Sequence, residues 1–214
     1  MFGIDARHRP PRDVCKGARR AKKTPRPHAA CCGARTAATG HTMLAFDIET
    51  FGLDPRCAKI SVICTECIFT CKRKTFEFAK HDREVGGPPT ALTAELVATL
   101  DAAQSLSAFN GVRFDLPFMQ IALGIPEETV RAWVLKTTDI LEYSRLILNG
   151  CTFKLDLLCE RNGMAMKSGT GLHAISLAQE AKWEELNSYC AGMIAVPISF
   201  DFLWSLSDRH VIVY

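Results

Sequence analysis

No uninterrupted apolar stretch in this chain reaches the ~18 to 20 residues that a membrane-spanning helix requires, so a helical span is excluded and a soluble protein is expected. Near the start there is no apolar signal-peptide core either, so the ten cysteines are not expected to form a secreted disulfide framework. Their densest group, Cys64, Cys67 and Cys71 in CTECIFTC, begins like a zinc site, yet no matching C-x2-C or H-x3-H pair follows nearby. The group lies in an extended apolar run, where free cysteine behaves as a small core residue. Internal repeats are absent.

Acidic residues are scarce at one end. Residues 1–41 hold ten Lys and Arg against Asp5 and Asp13, a local charge of +8, while the remainder carries 16 basic against 21 acidic residues and is −5. A basic tail on a mildly acidic body is expected, and three readings of it stay open: plain disorder, an organelle address, or contact with phosphate backbones. Pro10, Pro11, Pro25 and Pro27 suit an amphipathic transit helix poorly. An intracellular location (cytoplasm, nucleus or organelle) is the expectation. At 214 residues, 48% apolar and 23% charged, the chain has the size of one domain plus a tail.

From residue 43 the pattern becomes periodic. TMLAFDI reads as a strand closed by the turn-forming FGLDPR, and AKISVICTECIFT and KRKTFEFAK read as a hairpin beside it. DREVGGPP reads as a loop. Leu92, Leu96, Val97 and Leu100 fall on one helical face. SLSAFN reads as a short strand, DLPFMQIAL as a helix with Pro117 tolerated in its first turn, and AWVLKTTD as a last strand. DILEYSRLIL, KLDLLCERN, LHAISLAQEA and WEELNSYCAGM read as short helices. This order predicts an α/β fold, a mixed β-sheet flanked by helices.

Two carboxylates stand where the first strand ends. Residues i and i+2 of a strand share a side, so Asp47 and Glu49 converge while Ile48 faces the opposite layer. Such a pair is costly unless something positive lies between them. A hard divalent cation, Mg²⁺ or Mn²⁺, fits that need and keeps positions open for phosphates. Solvation, or pairing with Lys or Arg, is the plainer reading. A second cluster, SAFNGVRFDLPFM, places Asn110 after a strand and Asp115 at the start of a helix. Asp there has a role as a cap, but the carboxyl end of a strand is also where α/β folds bind ligands.

FDIETFGLD followed by NGVRFDLPFM resembles the first two motifs of the DEDD superfamily of 3′–5′ exonucleases, most of all the proofreading exonuclease domain of family B DNA polymerases and its stand-alone relatives. Tyr189-Cys190 in KWEELNSYCAGM resembles the third motif, Y-C-x-x-D, and the likeness covers roughly residues 43 to 192. The histidine form of that motif is absent, since His173-Ala174 lacks the needed acid. The resemblance implies a ribonuclease H-like fold, single-stranded DNA or RNA 3′ ends as substrate, and two divalent cations about 4 Å apart clamping the scissile phosphate. It implies that Asp47 bridges both ions, Glu49 holds the water-activating one, Asp115 supports the second and Tyr189 orients the water. Thr50, Leu53, Asn110 and Phe114 are then the residues expected near the terminal nucleotide.

One carboxylate is missing. Four residues after Tyr189 the family pattern wants Asp, and this sequence has Met193, a soft neutral donor that cannot replace a carboxylate on Mg²⁺. The water-activating cation site is expected to be weakened. Pro197 follows where a continuing helix would lose a hydrogen bond, and Asp201 and Asp208 lie off the turn that follows Tyr189. Three segments are therefore expected: a basic tail, 1–41; an exonuclease-like domain, 42–192; and a divergent segment, 193–214. Two functions compete, a 3′–5′ exonuclease and a catalytically inactive nucleic-acid-binding module of the same fold.

Overall fold

Alternation along the first strand organises the molecule. A computed structural model describes residues 42–147, 154, 155, 157, 160 and 171–198. In it, β1 (Met43–Thr50) sends Leu44, Phe46 and Ile48 into one apolar layer and Met43 and Ala45 into another. The same alternation puts Asp47 and Glu49 on the side of Met43 and Ala45.

β1 is the central strand. It pairs antiparallel with β2 (Ile60–Cys67), which pairs antiparallel with β3 (Arg73–Phe76). On its other side it pairs parallel with β4 (Ser105–Ala108), and β4 pairs parallel with β5 (Thr137–Asp139). The order is β3-β2-β1-β4-β5, a mixed five-stranded sheet as expected. Seven helices accompany it among the described residues: α1 (Phe78–Glu84), α2 (Thr90–Ala102), α3 (Asp115–Leu123), α4 (Glu127–Leu135), α5 (Ile140–Ile147), α6 (Gly171–Gln179) and α7 (Trp183–Ile198).

The two faces bury different sets. On one, Leu44, Phe46, Ile48 and Leu106 pack with Leu96 and Leu100 of α2, Leu116, Phe118 and Met119 of α3, and Trp133 of α4. On the other, Met43, Ala45, Val62 and Cys64 pack with Ala174 and Leu177 of α6 and Leu186, Tyr189, Cys190 and Ile194 of α7. Burying a sheet on both faces removes enough apolar surface from water to hold its acidic strand end in place, at ~25 cal/mol per Å². Polar groups in the first layer are matched: Trp133 Nε1–H donates to Asp101 Oδ1 at 2.7 Å. The Lys136 ammonium donates to the carbonyls of Leu100 (2.8 Å), Asp101 (3.1 Å) and Ala103 (2.8 Å) at the end of α2, where carbonyls run short of intrahelical donors.

Several elements differ from the sequence reading. KRKTFEFAK is strand only to Phe76; at Phe78 it turns into α1, which buries Phe78 and Ala79. The segment AWVL belongs to α4, leaving β5 only three residues. Pro126, ahead of Glu127 and Glu128 in the first turn, starts that helix, and the i, i+3 pair Val130 and Trp133 supplies its buried side. α7 runs on past Gly192 through Met193 to Ile198, so the expected divergent segment begins inside a helix. Pro197 is accommodated because it stands one residue from the helix end, where only the bond to the carbonyl one turn earlier is lost. The basic tail, most of KLDLLCERN, and Asp201 and Asp208 lie outside the described residues.

Candidate active site

The site grows from the end of β1. Asp47 is half-buried and Glu49 buried, on the strand side that α7 covers. The backbone around Glu49 is fixed: its carbonyl accepts from Ser61 Oγ at 2.9 Å, and a register shift between Glu49 and Thr50 ends the regular pairing with β2. Such an irregularity re-aims the chain where pairing stops. Thr50 Oγ donates to Gly52 O at 2.7 Å, shaping the loop after β1 in which Leu53 is 84% exposed.

Asp115 arrives from the opposite layer. It opens α3 and is 5% exposed, and its Oδ1 accepts the N–H of Ile48, the residue between Asp47 and Glu49, at 3.1 Å. Burial, aided by the charge of Asp139, pushes its carboxyl up to about 7, against the pull of the Ile48 N–H and its own N–H. Asp115 thus reaches the backbone N–H of the residue that stands between Asp47 and Glu49 in the chain, while the three carboxylates are not drawn into one cluster.

α7 closes the other side. Tyr189 is buried, its ring meeting that of His173 edge-on at 5.7 Å, and both line a surface hollow of about 440 Å³ with Leu177, Glu184, Glu185 and Ser188. Next to it, the Cys190 thiol lies 3.6 Å from the Asp47 carbonyl and 3.8 Å from Asp47 Oδ2. Burial, then its neighbours Cys64, Asp47 and Glu49, pushes Cys190 up, so it stays a neutral donor against the acid. Position 193 falls one turn after Tyr189 on the same helix.

The remaining candidates separate. Asn110 is half-buried in the left-handed region, at φ 66°, between β4 and α3. Phe114 is half-buried against the first apolar layer, 5.5 Å from the Phe118 ring, so part of its surface is already used in packing. Of the cysteine group, Cys64 is buried in β2, Cys67 is half-buried and Cys71 is disulfide-bonded.

Asp139 was not among the sequence candidates. Buried at the end of β5, it accepts from the N–H groups of Asn110 and Val112 and from those of Leu141 and Glu142. The Asp that opens DILEY signals a helix cap; its reach back to the Asn110 loop has no sequence signature.

The donor set is one of hard oxygens. Among the described residues no group of three or more His, Cys, Asp or Glu side chains is placed to hold a metal ion. Mg²⁺ does not ask for one, since it keeps several waters and binds through one or two carboxylates plus substrate phosphates. A carboxyl raised by burial is one that a nearby divalent cation would relieve. Asp47, Glu49 and Asp115 therefore suit such an ion.

Comparison with known proteins comes to the same fold. A family model described as RNase_H superfamily matches residues 44–155, just over half of the chain. No curated protein matches it. Among solved structures the chain is similar to the family B DNA polymerase of the hyperthermophilic archaeon Pyrobaculum calidifontis, with a TM-score of 0.58 at 18% identity over 78% of this chain and 24% of the polymerase. It is also similar to Escherichia coli exonuclease I in complex with a dT13 oligonucleotide, with a TM-score of 0.52 at 15% identity over 79% of this chain and 43% of that one. At such identities the likeness is one of fold. The chain spans about a quarter of the polymerase and about two-fifths of exonuclease I.

Proposed function

The chain belongs to the RNase H superfamily, and from that premise we propose that it is a metal-dependent 3′–5′ exonuclease acting on single-stranded nucleic-acid ends, with turnover limited at position 193. The observation that carries the reading is the bond from the Ile48 N–H, between Asp47 and Glu49 in the chain, to the Asp115 carboxylate, on a strand packed against the helix that bears Tyr189. Asp47, Glu49 and Asp115 would hold Mg²⁺ or Mn²⁺. Such ions supply an activated water and stabilise the leaving 3′-oxygen.

The chain's own residues do the rest. Tyr189, its ring braced by His173, offers a hydroxyl to orient the attacking water. Asn110 and the Thr50–Leu53 loop, with Leu53 exposed, receive the terminal nucleotide, and the free part of Phe114 borders them. Exonuclease I binds a dT13 oligonucleotide in one of the similar structures, which supports a single strand as the ligand.

Met193 favours a second reading, a nucleic-acid-binding module of the same fold without turnover, because a thioether leaves the water-activating ion with one carboxylate fewer. The two separate on a 3′-labelled single strand with Mg²⁺ and then Mn²⁺. Met193→Asp is expected to degrade it at least tenfold faster than the parent protein, and Asp47→Ala to abolish both activity and cation uptake. Equal rates for parent and Met193→Asp would remove position 193 from the account. An Asp47→Ala protein with unchanged cation affinity and strand binding would remove the site.

A further inference from the structure

The Asp139 carboxylate is filled by backbone donors from two directions. Oδ1 accepts from Leu141 at 3.0 Å and from Glu142 at 3.3 Å, in the first turn of α5, which is ordinary capping. Oδ1 also accepts from Asn110 at 2.9 Å and Oδ2 from Val112 at 2.9 Å, in the loop between β4 and α3. Capping has no need of this second pair.

What the second pair holds is the lead-in to Asp115. The Leu116 N–H donates to Gly111 O at 2.9 Å, a carbonyl in the same peptide group as the Val112 N–H that Asp139 grips, and the Phe114 N–H donates to Asn110 O at 3.0 Å, so the first turn of α3 is tied to the clamped loop. The loop is in a conformation it would not adopt unaided. Asn110 has φ 66°, and a Cβ on Gly111 would stand 2.5 Å from Ala108 Cβ and 3.2 Å from the tip of the Phe46 ring. A strained, close-packed loop needs an anchor to present a ligand at a fixed place.

We propose that Asp139 is a positioning residue for the cation site, its carboxylate clamping Asn110 and Val112 so that Asp115 is held at the Ile48 N–H. The inference rests on the proposed function for the cation and goes beyond it in naming the residue that sets the site's geometry. Outer groups that orient ligands typically affect metal affinity by ~10–100-fold.

The test measures Mn²⁺ affinity of the folded chain by calorimetry without nucleic acid, and amide hydrogen exchange at Asn110 and Val112. Asp139→Asn keeps the size but turns an NH₂ group toward one of the loop donors; Asp139→Ser keeps a cap for α5 but is too short to reach the loop. Both are expected to bind Mn²⁺ about tenfold more weakly and to exchange faster at the two amides. Lys136→Met, which uncaps α2 on the same sheet, is expected to lower the melting temperature and leave Mn²⁺ affinity unchanged. If the Asp139 variant that folds binds Mn²⁺ within twofold of the parent, the positioning role is overturned. It is overturned equally if Lys136→Met weakens Mn²⁺ as much, since general destabilisation then explains the loss. A parent protein that takes up no Mn²⁺ sinks the proposed function and this inference with it, an outcome distinct from both.

Discussion

Asp115 carries the clearest pH dependence in the molecule. Its carboxyl titrates near 7 when folded, against 3.8 for the free side chain, because burial disfavours the charged form. Between those values the unfolded chain has lost a proton that the folded chain keeps, so without divalent cations stability falls as pH rises from about 4 to about 7 and levels off above. Asp115→Asn has no proton to lose. Melting temperatures of parent and variant, taken across that window in chelator, are expected to diverge, the parent losing ground as pH rises. Parallel curves would show that Asp115 is not buried as described. At this scale much was legible: FDIET places two carboxylates on one side of a strand, and NGVRFD places a third at a helix start. Asp139 was not legible, because its bonds to Asn110 and Val112 join residues 29 and 27 positions apart, and only tertiary structure brings them together.

Elements were readable where one physical signal dominated. The period of Leu92, Leu96 and Leu100 gave α2, and Phe46 and Ile48 gave the buried side of β1. AWVL misled because Trp and Val favour strands while the helix start lies upstream, at Pro126 and its two glutamates. Helix α7 outran its expected end because a proline near a C-terminus costs one bond, not a turn. The β4–α3 connection offers a direct check on packing. Gly111→Ala would force a methyl within 2.5 Å of Ala108, and overpacking of this kind costs about 1–3 kcal/mol. The expected result is a lower midpoint in urea with an unchanged slope. Unaltered stability would mean that the loop passes farther from β4 and Phe46 than described.

Across the whole molecule, charge and topology act together. Residues 42–214 carry a net charge of −5, and the site proposed to receive a phosphate backbone is itself acidic. Single-strand binding should therefore be weak in chelator and strengthen at least tenfold with Mn²⁺, because the ion reverses the local sign. Fluorescence anisotropy of a labelled strand with Asp47→Ala, which should not respond to Mn²⁺, checks this; equal binding with and without the ion would place the contact on the basic tail instead. The sheet itself has a consequence for how the chain finds its fold. Along one side of β1 the sequence changes from Met43 and Ala45, sealed in a dry layer, to Asp47 and Glu49. Sliding β1 by two residues against β2 and β4 would preserve every inward-outward assignment, yet it could take Asp47 from its place beside Cys190 to that of Ala45, fully buried in the same layer. The acids thus penalise a slip of two residues, which hydrophobic alternation alone cannot detect, so the side chains proposed to serve catalysis also help to fix the register of the central strand.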